Sequence, residues 1–553
     1  MNKNNNSRFL RATHCLTLLL AGSLLVAGPA RGAGGEGFAI SEARKARVAA
    51  EPVNRVEGPV VRAAACVDGM ADEFACLNVD LQSWLPTSEI GGGDGTDLWG
   101  WTDRQTSKEY ALMGTTTGTA FVDVTDSVNP VYLGFLPTQT VESPWRDIKV
   151  YADHAFIGAD GGGPHGMQVF DLTRLRALTG APPATLTPDT VYSEFNRSHN
   201  IVIDEQSGFA FAVGTNTCGA GLHIVDIRVP LSPTFAGCFD SDGYTHDAQC
   251  VTYNGPDRDF QGREICFNAN EDTLTIVDVT DKASPAQLSR TGYSGSGYTH
   301  QGWLTEDQRY FLLDDEFDER DNGHNTRTRI WDVSDLTQPA IIGVSDGTTA
   351  AVDHNLYIHQ GLVYQANYES GLRILAGADI ASGTLTEIAW FDTHPEGNAA
   401  SFKGAWSTYP YFDSGNVLVS TRDRGLFVVR PVGIVADTDG DGVFDTYDNC
   451  QQVANPAQTD TNGDRIGNVC DADIGGDAGP GRDDCAVNFA DLGFLKAAFF
   501  STPDDGNWNA DADLGGNSDG SPDALINFAD LARMKALFFA PPGPSSTPCS
   551  PLR

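Results

Sequence analysis

Several common features are missing from this chain of 553 residues, and each absence excludes a class of protein or site. Beyond residue 33 no run is long and apolar enough to cross a bilayer, so we expect no membrane span. No Cys-x-x-Cys pair occurs, which disfavours a thiolate metal site. His-Glu-x-x-His and phosphate-loop motifs are also absent, which removes two recognisable signatures of metallopeptidases and nucleotide-binding proteins.

Basic residues are scarce. The chain has 36 Lys and Arg against 74 Asp and Glu, a formal net charge of −38. Residues 435–553, the acidic tail, carry 20 Asp, no Glu and six Lys or Arg. We therefore expect no contact with nucleic acid, whose phosphates require cationic partners. The tail is either a calcium-binding segment or a solvated acidic linker, and the spacing of its carboxylates decides between them.

A recurring position organises the middle of the chain. Four times it holds a histidine that opens a strand-like run, at His199, His246, His300 and His354. The residue after this position recurs about every fifty residues. Seven units of this length are typical of a mainly β, seven-bladed propeller. The recurring residues are Asp97, Asp147, Asn200, Asp247, Gln301, Asn355 and Gly404.

Each unit also contains an apolar run that ends on aspartate, such as Phe121-Val122-Asp123 or Ile276-Val277-Asp278. A polar turn follows, and this order of features indicates a hairpin, so each unit supplies about four short strands. The seventh unit reaches Pro431 without a fourth strand. Because an open edge would invite aggregation, we predict that residues 79–85 complete the last blade of a propeller at 66–431.

The N-terminus has the features of a secretory signal peptide. Lys3, Arg8 and Arg11 precede an apolar run at 16–27, and small residues follow. We predict a signal peptide at 1–33, then a leader or linker at 34–65 with no assigned function. Ten cysteines remain, an even number that indicates disulfides in an oxidising compartment. Their connectivity is open, and the simplest arrangement pairs neighbours: Cys66 with Cys76, Cys218 with Cys238, Cys250 with Cys266, Cys450 with Cys470, and Cys485 with Cys549.

The first part of the acidic tail, 435–472, alternates carboxylates with small residues. This arrangement points several oxygens at one centre, as Ca²⁺ requires. The order Asp437-Thr-Asp439-Gly-Asp441-Gly, continued through two cysteines, resembles a thrombospondin type 3 repeat. The predicted calcium ligands here are Asp437, Asp439, Asp441, Asp445, Asp448, Asp460, Asn462, Asp464 and Asp471.

The second part, 473–540, contains a duplication. Asn488-Phe-Ala-Asp491-Leu recurs as Asn527-Phe-Ala-Asp530-Leu, and each copy runs into a helix-like segment. A calcium loop that leads into a helix, twice, resembles a dockerin type I domain, which implies a cohesin-like or cell-surface partner. Residues 541–553 form a Pro/Ser-rich end. The candidate ligands are Asp471, Asn488 and Asp491 in the first copy, with Asp473 or Asp477 as alternatives if the loop carries an insertion, and Asp519, Ser521, Asp523, the carbonyl of Leu525, Asn527 and Asp530 in the second.

The propeller itself resembles a known family. Trp145-Arg-Asp-Ile-Lys-Val, Tyr298-Thr-His-Gln-Gly-Trp and Gly404-Ala-Trp-Ser-Thr-Tyr-Pro are similar to motifs of the choice-of-anchor B family, which is built from LVIVD-type propeller repeats. The resemblance covers about 66–431. It implies a bacterial protein that is secreted or held at the cell surface, with a propeller joined to interchangeable C-terminal anchoring modules.

The four histidines are the main candidate site in the propeller. Equivalent positions of successive blades encircle the axis, so we expect these histidines at one level, with Arg146 on one side and Lys403 on the other. Such a ring could hold Zn²⁺ or Cu²⁺, or form a cationic mouth for an anionic ligand. Alternatively, each imidazole hydrogen-bonds the neighbouring blade. Repetition favours this structural role, because a repeated residue usually serves the repeated geometry.

Two other stretches carry candidate residues. The acidic run 314–319 could supply a catalytic carboxylate pair or a calcium loop, although a solvated loop is favoured. His165, beside three glycines, is a candidate in an exposed loop. Two functions follow from the sequence. The preferred one is a secreted, calcium-binding, non-enzymatic scaffold that binds a protein or glycan and docks through its tail; the alternative is an extracellular metal-dependent hydrolase that uses the histidine-lined mouth.

Overall fold

The computed structural model describes most of the chain after the predicted signal peptide, which lies outside the described residues. The described residues are 34–161, 163–377, 380–434, 438–439, 441, 443, 445, 448–455, 458–462, 466–476, 479–480, 485–516, 522–539, 542–543 and 545.

Seven sheets are arranged as the blades of a propeller, which confirms the predicted mainly β fold. Four antiparallel strands form the body of each blade, and three blades carry additional short strands, among them Ala184–Thr185, which pairs parallel with the outer strand of blade 1. Each unit of about fifty residues forms one blade from four strands. The strands, from the inner to the outer, are Gly95–Asp103, Lys108–Thr115, Gly118–Asp123 and Val131–Pro137 in blade 1; Trp145–Tyr151, His154–Asp160, Met167–Asp171 and Thr190–Tyr192 in blade 2; Asn200–Asp204, Phe209–Val213, Leu222–Asp226 and Thr234–Phe239 in blade 3; Asp247–Thr252, Glu264–Asn270, Thr273–Asp278 and Ala286–Gly292 in blade 4; Thr299–Leu304, Tyr310–Asp315, Arg327–Asp332 and Ala340–Asp346 in blade 5; Asn355–His359, Leu362–Ala366, Leu372–Ala376 and Thr386–Phe391 in blade 6; and Ala405–Tyr409, Val417–Thr421, Gly425–Pro431 and Val79–Leu85 in blade 7.

The N-terminal part of the chain closes the ring. Val79–Leu85, the segment expected to complete blade 7, pairs antiparallel with Gly425–Pro431. Val61–Ala64 adds a further strand outside it. The hairpin of Met70–Ala71 and Phe74–Leu77 instead extends blade 6. Residues 61–85 therefore contribute strands to both of the last two blades. The outer side of Val79–Leu85 is itself covered, because Val61–Ala64 pairs with it.

The aspartate that ends the third strand explains why the strand stops there. The carboxylates of Asp123, Asp226 and Asp278 each accept a hydrogen bond from the backbone N–H two residues later, at 3.0–3.1 Å. The turn closed by this side-chain bond takes a backbone N–H group that could otherwise pair with a neighbouring strand. Aromatic side chains then fill the space between blades: the rings of Phe121 and Phe170, from blades 1 and 2, lie 4.9 Å apart and are fully buried. Truncation of such a side chain to Ala costs about 3–5 kcal/mol.

The described part of the chain contains few α-helices. They are α1 (Gly34–Ala50), α2 (Asp318–Asn322), α3 (Phe489–Ala497) and α4 (Phe528–Leu537). In the tail, α3 and α4 pack on a small apolar core that includes Ile474, Leu514 and Ile526. Among the described residues, no helix has the length and apolar character required to cross a membrane.

Disulfides link neighbouring cysteines in four places: Cys66 with Cys76, Cys218 with Cys238, Cys250 with Cys266, and Cys450 with Cys470. These are four of the five pairs expected from the sequence. Cys485 is also disulfide-bonded, and its expected partner Cys549 lies outside the described residues. Disulfides of this number suggest an extracellular protein.

Candidate functional site: a histidine ring beneath an N-terminal helix

The four recurring histidines lie side by side around the propeller axis. Ring centroids are 4.4 Å apart for His199 and His246, 4.1 Å for His246 and His300, and 4.4 Å for His300 and His354. Trp406 of blade 7 continues the row, 4.4 Å from His354. All four imidazoles are buried. Each opens the inner strand of its blade, so the fifty-residue repeat places them at one level.

Three of these side chains bond to the next blade. Nδ1 of His246 donates to the carbonyl oxygen of His300 (2.8 Å), Nδ1 of His300 donates to that of His354 (2.8 Å), and Nδ1 of His354 donates to that of Trp406 (2.5 Å). Because a carbonyl oxygen only accepts, Nδ1 carries the proton. Burial lowers the pKa of His354 to about 3 and holds those of His246 and His300 well below their usual range. These imidazoles are therefore neutral, and Nε2 keeps its lone pair.

His199 has a different partner. Its Nδ1 lies 3.1 Å from a carboxylate oxygen of Asp160. Burial alone would raise the pKa of Asp160, but the hydrogen bond from His199 and the charge of Lys45 hold it well below its usual range. Burial lowers the pKa of His199, so its imidazole is neutral and contacts a carboxylate, whereas the other three contact backbone.

Glu316 reaches into the ring from the loop before α2. Its carboxylate oxygens lie 3.8 Å from Nε2 of His300 and 3.8 Å from Nε2 of His354, and the hydroxyl of Tyr368 donates to it at 2.6 Å. Burial raises the pKa of Glu316 to about 7. The expectation of a solvated acidic loop is wrong, because Asp314, Asp315, Glu316, Asp318 and Glu319 are all buried. Sequence reasoning did not assign Glu316 to the ring.

Of the two expected cationic flanks, Arg146 lies beside the ring, where it lines a small space together with the four histidines. It is buried; it donates to the carbonyl oxygen of Thr115 (3.0 Å) and lies 3.2 Å from Nε2 of His165. His165 is therefore a buried residue, not an exposed one, and burial together with Arg146 lowers its pKa to about 4. Lys403 does not take the place next to His354 around the ring; Trp406 does. The reason is local: Gly404 has a φ of +87°, and the strand pairing shifts between Ala405 and Ser407.

Helix α1, to which the sequence assigned no role, covers the ring. Nζ of Lys45 binds Asp160 at 2.7 Å, and Ser41 lies 2.7 Å from the hydroxyl of Tyr298. Val48 is buried against Phe317 and Trp406. The space between α1 and the ring has a volume of about 20 Å³ for the centre of a water-sized sphere, enough for about one water molecule or ion.

Below the ring the axis is filled by paired charges and aromatic rings. Burial alone would lower the pKa of Lys149, but Asp147 (2.7 Å) and Asp97 (3.4 Å) raise it well above its usual value. Trp99 then packs on Tyr357, with centroids 5.5 Å apart. The charge of Lys149 is thus neutralised by side chains of the propeller itself.

The first part of the tail gathers carboxylates. Oxygens of Asp439, Asp441 and Asp448 lie within 4.8 Å of one another. Asp448 is buried, which raises the pKa of its carboxyl group. Its Oδ1 accepts from the N–H of Cys450 (2.7 Å), and its Oδ2 has no hydrogen-bond partner within the described part of the chain. A cation would offset the cost of burying this oxygen beside two other carboxylates.

The other predicted ligands of this part that the structure describes are Asp445, Asp460, Asn462 and Asp471, and the charge of Asp445 helps to raise the pKa of Asp448. Asp445 accepts from Thr438 at 2.6–2.7 Å, Asn462 contacts Asp471 at 3.3 Å, and Asp460 is half-buried. Asp437 and Asp464 lie outside the described residues.

In each copy of the duplication, the segment that precedes the loop bonds to the first turn of the helix that follows the loop. Asp491 accepts from the N–H of Ile474 (3.0 Å), as Asp530 does from that of Leu514 (2.8 Å), and burial raises the pKa of Asp491 to about 6. Asn488 and Asn527 cap α3 and α4. Asp523 lies near Asp513, whose pKa burial raises to about 6; Leu525 is partly exposed, and Asp519 and Ser521 lie outside the described residues.

Asp473 and Asp513 also lie beside the loops, although a count of calcium-loop positions without an insertion does not select them as ligands. The carboxylate of Asp473 accepts from the N–H of Ala486 (3.1 Å), and that of Asp513 accepts from the N–H of Ala524 (2.8 Å). Both follow an Asp-Ala dipeptide, which is the repeated signal in the sequence. From the sequence, Asp473 is an alternative ligand in the first copy, and Asp513 is not selected in the second.

Comparison with known proteins identifies one short family match. The thrombospondin type 3 repeat matches residues 436–458. No curated protein matches the chain. Solved structures with some similarity include the Cps50 (Swd1) β-propeller domain of Myceliophteria thermophila (12% identity, TM-score 0.41, covering 62% of this chain and 98% of that one), a putative 6-phosphogluconolactonase from Bacteroides fragilis (12%, 0.41, 60% and 92%) and a periplasmic gluconolactonase of Pseudomonas aeruginosa (12%, 0.38, 55% and 85%). At TM-scores below 0.5, nothing about activity follows from these similarities.

Proposed function

We propose that this protein is a secreted, non-enzymatic propeller scaffold that binds a protein or glycan, with a calcium-stabilised tail that attaches it to a partner or surface. The proposed units are the propeller at 66–431, a calcium repeat at 435–472 and a dockerin-like domain at 473–540. The observation that carries the proposal is the coverage of the histidine ring by α1, which leaves space for about one water molecule and none for an organic substrate.

The tail supports the attachment. Four phenylalanines of the duplicated domain are exposed by 66–76%, which is unusual for side chains of this size. They form two groups related by the duplication: Phe489 with Phe539, and Phe500 with Phe528, at centroid distances of 6.0 and 5.8 Å. Aromatic side chains are enriched in the centres of protein interfaces.

The alternative, a metal-dependent hydrolase, requires that α1 leave the ring. A direct test compares the wild type with Lys45→Glu, which repels α1 from Asp160, in hydrolysis of ester, peptide and glycoside substrates with Zn²⁺ present. The scaffold predicts no turnover by either protein. Turnover by Lys45→Glu that disappears in Lys45→Glu/His300→Ala would contradict it.

Attachment is tested separately, by measuring whether the protein binds to the cell envelope of the source organism and sediments with it. Phe489→Ser/Phe528→Ser should lose surface binding and keep the wild-type unfolding midpoint of the propeller. Binding that is unchanged in this variant would contradict the proposed role of the phenylalanines.

A further inference from the structure

We propose that His300, His354 and Glu316 form a binding site for one divalent first-row transition-metal ion, which clamps blade 5 to blade 6 beneath α1. This site is distinct from the calcium sites of the tail. It does not require catalysis, so it holds whether or not the scaffold proposal does.

The two imidazoles are already arranged as metal ligands. A metal-ligating histidine usually donates its second ring nitrogen to a backbone carbonyl or carboxylate, which fixes its tautomer. Nδ1 of His300 and Nδ1 of His354 each make such a bond to a carbonyl oxygen of the next blade. Their Nε2 atoms are unprotonated and can offer a lone pair to a metal ion, and both lie near the carboxylate of Glu316.

The distances fit an ion better than a direct contact. Each separation of 3.8 Å between Nε2 and a carboxylate oxygen is too long for a hydrogen bond. It lies within the span of two bonds of about 2.0–2.2 Å to a shared zinc-like ion. One ligand atom from each of His300, Glu316 and His354 can be chosen so that all three lie within 4.8 Å of one another.

Glu316 has the surroundings of a ligating carboxylate. Only 4% of its surface is exposed, and Tyr368 holds one oxygen by a hydrogen bond of 2.6 Å, as an outer-shell partner would. The nearby cations of α1 are engaged elsewhere: Lys45 binds Asp160, and Arg44 binds Asp321. A divalent ion would neutralise the buried carboxylate at the point where the two Nε2 atoms converge.

Blade-to-blade fastening accounts for the Nδ1 bonds but not for Glu316. Fastening alone would leave the Nε2 side of the ring without a preferred partner. The presence there of a buried glutamate, held by a buried tyrosine, and of space for about one ion is what the metal site explains. Three protein ligands and one open position, filled by water, match a common geometry of zinc sites.

The experiment uses the full chain, stripped with a strong chelator and dialysed against Co²⁺ or Zn²⁺ with millimolar Ca²⁺ present to occupy the tail. We expect one retained ion per wild-type chain, and visible absorption from Co²⁺ in a nitrogen–oxygen site. Glu316→Gln and His300→Ala should lose the ion and the absorption. Tyr368→Phe should weaken affinity about 10–100-fold, as loss of an outer-shell partner does.

Two controls make the outcome decisive. His223→Ala removes a buried histidine of blade 3 that bonds Tyr192 and Thr217, and should keep the ion. Asp448→Asn alters the tail and should also keep it. Retention of no ion by the wild type, or equal retention and absorption in the wild type and Glu316→Gln, would overturn the proposal. If His300→Ala fails to fold, Tyr368→Phe and the wild-type Co²⁺ spectrum decide the question.

Discussion

The propeller and the acidic tail stabilise buried charge in opposite ways. In the propeller, charges on the axis are paired with other side chains, as Lys149 is with Asp147 and Asp97. In the tail, Asp439, Asp441 and Asp448 gather with one another. A paired charge such as that of Lys149 needs no ion to be neutral, whereas a cluster of like charges is compact only when a cation joins it. The two regions should therefore respond differently to calcium.

The largest expected effect is the loss of tail stability when calcium is removed. Removal of calcium, with Zn²⁺ kept present for the proposed site in the ring, should lower the unfolding midpoint of the tail and leave that of the propeller within error. At calcium 100-fold above the dissociation constant, each site contributes about 2.7 kcal/mol. Calorimetry of the wild type and of Asp448→Asn measures the difference. An equal response to calcium in both proteins would contradict the assignment of Asp448.

The next effect concerns the docking of α1 on the propeller. Lys45→Met leaves Asp160 buried without its ammonium partner, which should weaken docking by about 3 kcal/mol, the lower end of the cost of breaking a buried pair. Arg197 stays 3.4 Å from Asp160 and limits the loss. Hydrogen exchange of the α1 amides measures it. Arg47→Met is the matched control, because its pair with Asp321 is exposed and contributes about 1 kcal/mol or less.

The two regions should also respond to acid in opposite directions. The pKa of Asp160 is held below its usual value, so its contribution to docking is complete above about pH 4 and is lost as the pH falls further. In the calcium-free tail, burial raises the pKa values of Asp491 and Asp513 to about 6. The folded tail then binds more protons than the unfolded tail, so its stability should fall as the pH rises from about 4 to 6.

These pH responses are measured by hydrogen exchange of α1 and by thermal unfolding of the tail in EGTA at pH 3, 5 and 7. A calcium-free tail that is more stable at pH 7 than at pH 5 would contradict the account of the tail. Undiminished protection of α1 at pH 3 would contradict the role of Asp160.

The sequence predicted what depends on repetition. The fifty-residue period placed His199, His246, His300 and His354 at one level, and the aspartate turns marked the ends of the third strands. Spacing missed what comes from outside the repeat. Glu316 belongs to an insertion of one blade, and α1 precedes the propeller, so no periodic signal connects either of them to the ring. Lys403 was misplaced because one glycine with positive φ and one irregular pairing shift blade 7.

The most direct test of the difference between the propeller and the tail is peptide-resolved hydrogen exchange of the full chain, with calcium and after its removal. We expect protection to change in 438–539 and to stay the same in the inner strands of all seven blades. Loss of protection in the propeller, or no change in the tail, would contradict this expectation.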